Sequence, residues 1–471
     1  MKIEQIYTGC LAQGAYYIES EGQAAIIDPL RETEPYLLKA KENHAKIKYI
    51  FETHFHADFV SGHLDLAKKT GAKIIYGPSA QTGYEKYEAK DGEEFQLGKI
   101  KIKVLHTPGH TPESTTYLLL NENGKEHAIF SGDTLFIGDV GRPDLAQKAT
   151  GLTQEDLAGW LYDSLRGKIM TLPDDVIVYP AHGAGSACGK NMSKETWDTL
   201  GNQKATNYAL RADMTRDEFI KEVTTGLQPP PQYFSKNAAM NKQGYESIDV
   251  VMERGTLALS PEKFEEMVNL ENALILDVRH QDEFHKGFVP NSIFIGLDGQ
   301  FAPWVGALIP DLMQPLAIIA PEGREVETVK RLARVGYDNC IGYLDGGFEA
   351  WQKAGKEVDT IESISADALE KIWKAEKDTH ILDVRKPGEW TSEHVEGAQH
   401  LPLDYMNNHM QEINRNDTYY IHCRSGYRSM IAASILKSRG FENVIDIAGG
   451  YAAIEQTALP RTDYVCPSTL K

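Results

Sequence analysis

The second half of this chain is a tandem repeat, and the repeat limits the possible folds more than any other feature. Residues 274–279 (LILDVR) recur as residues 381–385 (ILDVR), and residues 346–348 (GGF) recur as residues 449–451 (GGY). Each copy spans about 100 residues and opens with a short β-branched run followed by helical patterns. We therefore predict two successive α/β domains, each built on a parallel sheet.

Residues 1–245 follow a different pattern, in which apolar runs such as residues 24–28 (AAIID) and 100–104 (IKIKV) alternate with helical stretches. Three prolines at positions 229–231 precede a polar segment, residues 232–244, which we interpret as a stiff connector. We place three domains at residues 1–245, 246–360 and 361–471. A length of 471 residues agrees with this number at about 150 residues per domain.

Composition excludes several classes of protein. Hydrophobic residues make up 41% and charged residues 25%, which is ordinary for a globular protein and unlike a disordered or fibrous chain. A net charge of −19 argues against nucleic acid or an anionic membrane as a partner. No apolar run reaches membrane-spanning length and the first residues lack a signal-peptide pattern, so we expect a soluble, cytoplasmic protein. The five scattered cysteines form no disulfide framework.

Four predicted loops in the first domain each follow an apolar run and present histidine or aspartate. They comprise residues 53–58 (THFHAD), 107–111 (TPGHT), 130–134 (FSGDT) and 179–183 (YPAHG). A single histidine after a strand is usually structural, but four such loops in one domain are hard to explain that way. Imidazoles and carboxylates gathered at strand ends are the ligands of a metal site, so the first domain predicts a metal centre.

This ordered series of loops resembles the metallo-β-lactamase superfamily, which implies a four-layer αββα sandwich with metal ions bound at strand ends. The first motif of that superfamily is HxHxDH, and its members usually hold two zinc ions. Here Phe59 replaces the last histidine, and a phenyl ring cannot coordinate a metal. With this departure, the resemblance implies one metal ion per chain.

Residues 138–145 (GDVGRPDL) and 181–190 (AHGAGSACGK) narrow the resemblance to the persulfide dioxygenases, and it extends across residues 1–245. In that family one iron is bound by the residues that match His54, His110 and Asp133. Two imidazoles and a carboxylate with open positions are the ligand set of non-haem Fe(II) oxygenases. The resemblance thus implies one Fe²⁺ per chain, accessible to a persulfide sulfur and to O2.

The remaining polar residues of these loops are expected to support that centre. We expect His56, Asp58 and His182 to orient the ligands, although zinc-binding relatives use the matching residues as ligands. Arg142 and Lys190 are candidates for binding the anionic groups of a thiol carrier. The alternative for Arg142 is that it only holds its glycine-rich loop together.

The resemblance also implies the partners of the protein. They are O2, sulfite and the persulfide of a small thiol, for which glutathione, bacillithiol and coenzyme A are not distinguished by the sequence. Relatives of the first domain commonly self-associate, so we expect a homo-oligomer. Cys10 and Cys188 are interpreted as packing or loop residues.

A reactive cysteine is predicted in the second copy of the repeat. In residues 419–429 (YYIHCRSGYRS), Cys423 lies between a predicted strand and a predicted helix. A thiol there faces free backbone N–H groups and the positive end of a helix, and both stabilise a thiolate. Arg424 and Arg428 add positive charge, so we predict that these three residues form a catalytic site.

The loop distinguishes between two families. Tyrosine phosphatases use HCX5R, whereas the spacing from Cys423 to Arg428 is CX4R, a smaller ring suited to a sulfane sulfur. With the DVR strand, this loop resembles the rhodanese domain, which implies that Cys423 accepts a sulfur atom. Asp383 and Arg385 are expected to support the loop.

The first copy lacks this nucleophile. Aligning Gly323 with Gly426 places Ala320 opposite Cys423 and Glu325 opposite Arg428. We therefore predict that the first copy is a rhodanese-like domain without catalytic activity, which acts as a spacer or a docking module.

Three functions remain open at this point. The first is a persulfide dioxygenase that oxidises a thiol persulfide to sulfite and passes sulfane sulfur through Cys423 to give thiosulfate, removing excess sulfide and persulfide. The second is a zinc-dependent thioester hydrolase similar to glyoxalase II, which Phe59 disfavours because such hydrolases usually bind two metals. The third is a sulfur carrier without oxidase activity, which leaves the histidine loops unexplained.

Overall fold

The structure is a computed structural model that describes residues 1–147, 151–376 and 378–466. The chain forms two compact units, one of residues 1–250 and 332–336 and one of residues 251–331 and those from 337 onward. The predicted boundary after residue 245 lies close to the end of the first unit, and the boundary after residue 360 lies inside the second; both remain predictions. Within the described ranges, no helix is long and apolar enough to span a membrane.

The strands of the first unit belong to two sheets. They are β1 (Lys2–Thr8), β2 (Gln13–Ser20), β3 (Gln23–Ile27), β4 (Lys46–Phe51), β5 (Lys73–Tyr76), β6 (Tyr87–Glu88), β7 (Glu94–Leu97), β8 (Ile100–His106), β9 (Thr115–Leu120), β10 (Glu126–Gly132), β11 (Ile177–Pro180) and β12 (Asp198–Thr199). In the described part of this unit the sheets have six strands each, in the orders β1-β2-β3-β4-β5-β6 and β12-β11-β10-β9-β8-β7.

Helices flank both sheets. They are α1 (Glu34–Glu42), α2 (His63–Thr70), α3 (Gln154–Ser164), α4 (Leu200–Thr206), α5 (Arg216–Thr224) and α6 (Phe234–Gln243). The next helix, α7 (Ile248–Gly255), begins in the first unit and ends in the second. A π-helical turn, Leu165–Ile169, extends α3, and a 3₁₀ turn, Tyr208–Leu210, follows α4.

The core of the first unit lies between its two sheets. Ile27 and Phe51 of one sheet pack with Val104, Tyr117 and Phe130 of the other in one buried cluster. Helices α1 and α2 cover the outer face of the first sheet, and α3 and α5 cover the outer face of the second. This arrangement confirms the predicted αββα sandwich.

The second unit contains two sheets of the same design. The strands are β13 (Ala258–Leu259), β14 (Leu274–Asp277), β15 (Ile293–Phe294), β16 (Leu316–Ile319), β17 (Cys340–Leu344), β18 (Glu362–Ser365), β19 (His380–Asp383), β20 (Gln399–His400), β21 (Tyr419–His422) and β22 (Val444–Ala448). Their orders are β13-β17-β16-β14-β15 and β18-β22-β21-β19-β20, and neighbouring strands are parallel. The two sheets therefore have the same strand order, counted from the first strand of each copy. This confirms that the repeat encodes two α/β domains with parallel sheets.

Helices connect these parallel strands. They are α8 (Pro261–Glu271), α9 (Gln281–Phe284), α10 (Phe301–Leu308), α11 (Glu325–Arg334), α12 (Gly347–Lys353), α13 (Ala366–Ala375), α14 (Pro387–Ser392), α15 (Met406–His409), α16 (Tyr427–Ser438) and α17 (Gly450–Ile454). Short 3₁₀ turns, Leu403–Tyr405 and Met410–Glu412, flank α15.

The interpretation of residues 232–244 as a connector is wrong for most of that segment. Residues Phe234–Gln243 form α6 of the first unit, where Asn241 is buried. Its side-chain amide donates to the carbonyl oxygens of His56 and Phe59 at 2.8 Å and accepts the N–H of Ser61 at 2.9 Å. These partners are backbone groups of a loop that is distant in the sequence. Because the sequence does not show such partners, the polar residues of α6 have the same pattern as an exposed linker.

Candidate functional site

Three predicted ligands meet at the strand ends of the first unit. His54 follows β4, His110 follows β8, and Asp133 follows β10; all three are buried, and their ligand atoms lie within 4.8 Å of one another. Asp133 Oδ2 is 3.4 Å from His110 Nε2 and 3.7 Å from His54 Nε2, and it has no hydrogen-bond partner among the residues that the structure describes. A buried carboxylate oxygen without a partner, facing two imidazole nitrogens, fits a metal ion with ligand bonds of about 2.0–2.2 Å.

The other nitrogen of each imidazole is held by the protein. His54 Nδ1 lies 3.0 Å from the Thr53 hydroxyl, and His110 Nδ1 lies 2.8 Å from the carbonyl oxygen of Arg142. The Thr53 N–H and hydroxyl both donate to the Asp28 carboxylate at 2.8 Å, which fixes the start of the loop. Such contacts leave each Nε2 as the ring nitrogen that can bind a metal.

The pKa shifts of these residues are those that metal ligands require. Burial, reinforced by His56, lowers the pKa of His54 well below its usual value. Burial opposes ionisation of Asp133, but His182, His54 and His110 together lower the pKa of Asp133. A neutral imidazole and an ionised carboxylate are the forms that bind a metal.

The second set of residues lies beside the first. His56, Asp58 and His182 are buried, and their ligand atoms also lie within 4.8 Å of one another. His182 bridges two carboxylates, with Nδ1 2.8 Å from Asp133 Oδ1 and Nε2 2.8 Å from Asp58 Oδ2. Burial opposes protonation, but Asp133 and Asp58 raise the pKa of His182. These contacts suit an orienting role, although the set could itself hold an ion; the choice between the two remains a prediction.

Cys188 was missed as a residue of this site. It is buried, and its Sγ lies within 4.8 Å of ligand atoms of Asp133 and His182. Burial, followed by Asp58 and Asp133, raises the pKa of the Cys188 thiol. Its only signal in the sequence was its place in residues 181–190, and a lone cysteine in a loop carries little information.

Arg142 and Lys190, the two candidates for substrate binding, both form hydrogen bonds to other groups of the protein. Arg142 is buried and donates from Nε and Nη2 to the Asp144 carboxylate at 2.7 Å, while its backbone carbonyl faces His110. Lys190 Nζ donates to the carbonyl oxygen of Glu222 at 2.7 Å. These contacts favour the alternative in which Arg142 holds its loop; substrate binding by either residue remains a prediction.

The thiol loop of the second unit has the predicted geometry. Cys423 follows β21, and α16 begins at Tyr427. The thiol is buried, and the Gly426 N–H points at its Sγ at 3.2 Å. Gly426 adopts φ = 105°, a conformation that other residues rarely take, and this turn directs the amide at the sulfur.

Both predicted arginines of this loop are paired with carboxylates. Arg424 contacts Glu455, and Arg428 donates to the two oxygens of Glu389 at 2.6 and 2.9 Å. Glu389 lies 39 residues before Arg428, and nothing in the sequence indicates that the two side chains pair. An anionic substrate must therefore compete with Glu389 for Arg428.

A buried ion pair supports the strand beside the loop. Arg385 Nε and Nη2 donate to Asp383 at 2.6 to 3.0 Å, and the Arg385 guanidinium lies 3.7 Å from the centre of the Tyr451 ring. Arg279 and Asp277 form the same pair in the first copy. A pair present in the copy without a nucleophile is structural.

In the equivalent loop of the first copy, the side chain of Glu325 accepts the backbone N–H equivalent to the one that faces the thiol in the second copy. The Gly323 N–H, which matches that of Gly426, donates to the Glu325 carboxylate at 3.1 Å. Ala320 stands where the second copy has Cys423. Cys340 is fully buried in β17, where burial raises the pKa of its thiol to about 12, so it cannot replace the missing nucleophile.

Comparison with known families covers both units. Residues 8–182 match the metallo-β-lactamase superfamily, and residues 260–354 and 365–457 match the rhodanese-like domain. A probable hydroxyacylglutathione hydrolase of Schizosaccharomyces pombe is 35% identical over 48% of this chain and 91% of that protein. The mitochondrial persulfide dioxygenase ETHE1 of Homo sapiens is 29% identical over 45% of this chain and 74% of that protein.

Among solved structures, a metallo-β-lactamase from Staphylococcus aureus subsp. aureus COL is similar over most of the chain. It is 30% identical, covers 73% of this chain and 98% of its own, and has a TM-score of 0.63.

Proposed function

This chain is an enzyme that belongs to the metallo-β-lactamase superfamily and carries two rhodanese-like domains, and from this premise we propose that it is a persulfide dioxygenase coupled to a sulfurtransferase. In the first reaction, RSSH, O2 and water give RSH, sulfite and two protons. In the second, sulfane sulfur is transferred through Cys423 to sulfite and gives thiosulfate. The combined reaction would remove excess sulfide-derived persulfide.

The observation that supports oxidation best is the donor set of the metal cluster. The imidazoles of His54 and His110 face Oδ2 of the third donor, Asp133, and this oxygen has no hydrogen-bond partner in the described part of the chain. Fe²⁺ bound there would supply open coordination positions for sulfur and O2 and would accept and donate single electrons. The buried residues of the cluster exclude bulk water from the reacting sulfur.

Sulfur transfer requires only residues of the second unit. The Cys423 thiolate attacks the outer sulfur of RSSH. A bond forms between Cys423 Sγ and that sulfur, the S–S bond of RSSH breaks, and RSH is released. Sulfite then attacks the terminal sulfur, forms thiosulfate and leaves the Cys423 thiolate. The Gly426 N–H stabilises the sulfur anion in both steps, and Arg428 can turn from Glu389 to the incoming anion.

The proposed substrate is the persulfide of a small thiol, with glutathione, bacillithiol and coenzyme A as the carriers to compare. The proposed partners are O2 and sulfite, and we propose a cytoplasmic homo-oligomer. The net charge of −19 supports the absence of nucleic-acid and membrane partners.

A zinc-dependent thioester hydrolase is the second candidate. Two observations favour it: the similarity to a probable hydroxyacylglutathione hydrolase, and a second group of three buried donors, His56, Asp58 and His182. Phe59 opposes it, because it removes a ligand from that second group.

Oxygen uptake decides between the two candidates. Protein loaded anaerobically with Fe²⁺ is expected to consume O2 when glutathione persulfide is added, and the zinc form is expected not to hydrolyse S-lactoylglutathione. An iron form that takes up no O2, together with a zinc form that hydrolyses the thioester, would establish the hydrolase instead.

The role of Cys423 is tested separately. The Cys423→Ser variant should consume O2 at the parent rate but release sulfite in place of thiosulfate. Cys340→Ser is the matched control, because this buried cysteine lies in the copy without a nucleophile. Equal thiosulfate yields from Cys423→Ser and the parent would show that the assigned role is wrong.

A further inference from the structure

The first rhodanese-like copy contacts the catalytic loop of the second copy. The contact residue is Tyr427, which lies between Gly426 and Arg428 and begins α16. Its hydroxyl donates to the carbonyl oxygen of Gly296 at 2.7 Å, across to the other copy. The position equivalent to Tyr427 in the first copy is Arg324, which binds Asp298 and Glu327 within its own domain.

Two glycines make room for the Tyr427 ring. A Cβ atom on Gly299 would lie 2.2 Å from Tyr427 Cζ, and one on Gly296 would lie 3.1 Å from Tyr427 Cε2. Phe294 adds an edge-on ring contact, with centroids 5.9 Å apart. The ring therefore fits a recess that any side chain at position 299 would fill.

The recess is held in place by the first copy. Arg331 Nη1 donates to the carbonyl oxygen of Leu297 at 2.7 Å, and Arg324 Nη1 donates to the Asp298 carboxylate at 2.7 Å. Both arginines belong to α11 or the loop before it. The segment that accepts Tyr427 is thus anchored at two neighbouring residues, Leu297 and Asp298, by one element of the first copy.

Helix α16 is also joined to the first copy. Strand β15 lies at the edge of its sheet, where a backbone N–H would otherwise lack a partner. The Phe294 N–H donates to the Ser434 hydroxyl on α16 at 2.9 Å, and Ser434 is fully buried. The first copy therefore contacts the helix that follows Cys423 at both its first turn and its middle.

We infer that the first copy, although it has no nucleophile, is a positioning module for the catalytic loop, and that Tyr427 is the residue through which it acts. Tyr427 sits next to Gly426, whose N–H is directed at Cys423 Sγ. Movement of Tyr427 therefore turns that amide away from the sulfur. The inference rests on the proposed sulfur transfer at Cys423, but the geometry of the loop can be measured without it.

The test uses the full chain and three variants. Tyr427→Phe removes the hydroxyl, Gly299→Ala displaces the ring, and Tyr337→Phe is the control. Tyr337 donates to the carbonyl oxygen of Ile309, so the control removes the same kind of buried contact from the first copy without touching the loop. The first readout is the pH profile of iodoacetamide alkylation at Cys423, followed by mass spectrometry of its peptide.

We expect the midpoint of the alkylation profile to rise in Tyr427→Phe and more in Gly299→Ala, because the thiolate loses its amide donor. The kcat for sulfur transfer from thiosulfate to cyanide should fall about threefold and about tenfold, respectively, with oxygen uptake unchanged, since a neutral hydrogen bond has about this effect. Tyr337→Phe should leave both readouts unchanged. An unchanged alkylation profile in both loop variants would overturn the inference.

A double variant tests whether Gly299 acts through Tyr427. Gly299→Ala combined with Tyr427→Ala should be no worse than Tyr427→Ala alone, because the clash has been removed. Additive losses would overturn the assignment of Tyr427. If the parent shows no sulfur transfer, the proposed function of this domain fails, while the alkylation profile still decides whether the first copy positions the loop.

Discussion

Phe59 is the residue at which this chain departs from the HxHxDH motif, which residues 54–58 follow. Its side chain is fully buried, with the ring 4.4 Å from the His56 ring and 6.5 Å from the His182 ring. A hydrocarbon surface therefore replaces a donor atom next to the second donor group. At the scale of single residues, this exchange is the physical basis for expecting one metal ion.

The Phe59→His variant should bind a second metal ion, because the new imidazole would join Asp58 and His182. Metal content is measured by mass spectrometry after reconstitution with Zn²⁺. Phe55→His is the matched control, since Phe55 lies in the same motif but packs on Tyr76, with ring centroids 5.1 Å apart. If the variant and the control hold the same amount of metal as the parent, Phe59 does not determine the stoichiometry.

Residues in local motifs can be recognised from the sequence, whereas residues with distant partners cannot. His54, His110 and Asp133 each follow a strand, and the structure brings them together although β4 belongs to one sheet and β8 and β10 belong to the other. Asn241 and Cys188 have no such signal. Their importance comes from contacts with backbone or ligand atoms that are remote in the sequence.

At the scale of elements, the glycine that begins α17 has closer neighbours than its counterpart at the start of α12. A Cβ on Gly450 would lie 2.5 Å from the carbonyl oxygen of Cys423 and 2.8 Å from the Ser425 nitrogen. A Cβ on the equivalent Gly347 would meet Ala320 at 3.5 Å, an ordinary contact. Both glycines have similar positive φ angles, 58° and 60°.

Gly450→Ala should therefore lower sulfur transfer by about tenfold or more, whereas Gly347→Ala should retain it. Both variants carry the same left-handed strain, of about 1–2 kcal/mol, so the difference reports the displaced loop. Thiosulfate–cyanide kinetics and urea unfolding of both variants provide the comparison. Similar activity in the two variants would contradict the proposed contact.

A buried carboxylate lies beneath the same loop. Asp446 of β22 accepts the Ser429 hydroxyl at 2.7 Å and the Ser363 hydroxyl at 3.0 Å. Burial raises the pKa of Asp446 to about 6. Because the folded state binds this proton more tightly than the unfolded chain, stability conferred by the protonated form is lost as the pH rises from about 4 to about 6.

Asp446→Asn should remove that loss and stabilise the second unit above pH 6 by up to about 3 kcal/mol, at about 1.4 kcal/mol per pKa unit. The gain shrinks if the new amide pairs poorly with the two hydroxyls. Urea-dependent proteolysis from pH 4 to 7.5, with mass spectrometry of peptides from β21 and β22, measures it; the exposed Asp463→Asn is the control. An unchanged pH dependence would show that Asp446 does not titrate in this range.

At the scale of the whole molecule, one chain carries two proposed reactions that share sulfite. A tethered site acts at an effective concentration of about millimolar, so we expect the second unit to capture more of the sulfite formed by the first than a separate protein would. The chain is acidic overall, with a net charge of −19, yet Arg424 and Arg428 lie one and five residues after Cys423. Both arginines are paired with carboxylates, so Arg428 can offset the repulsion of an anionic substrate only when it turns away from Glu389.

An equimolar mixture of His110→Ala and Cys423→Ser tests this coupling. Each variant should supply one reaction, so the mixture should form thiosulfate but release more sulfite than the parent, especially in dilute solution. Bimane derivatisation and chromatography of both products at several protein concentrations measure the difference. A mixture that matches the parent at every concentration would show that covalent linkage contributes nothing.

The sequence by itself determined the αββα and parallel-sheet folds, the repeat, and the placement of His54, His110, Asp133 and Cys423 after strands, because each is encoded by residues at short, regular spacing. Only the tertiary structure decided which groups contact the residues of the two sites. The carbonyl oxygen of Arg142 faces His110, Glu389 binds Arg428, and Gly296 accepts Tyr427 from the other copy. These contacts join residues far apart in the chain, and their energies depend on burial and geometry that no local pattern records.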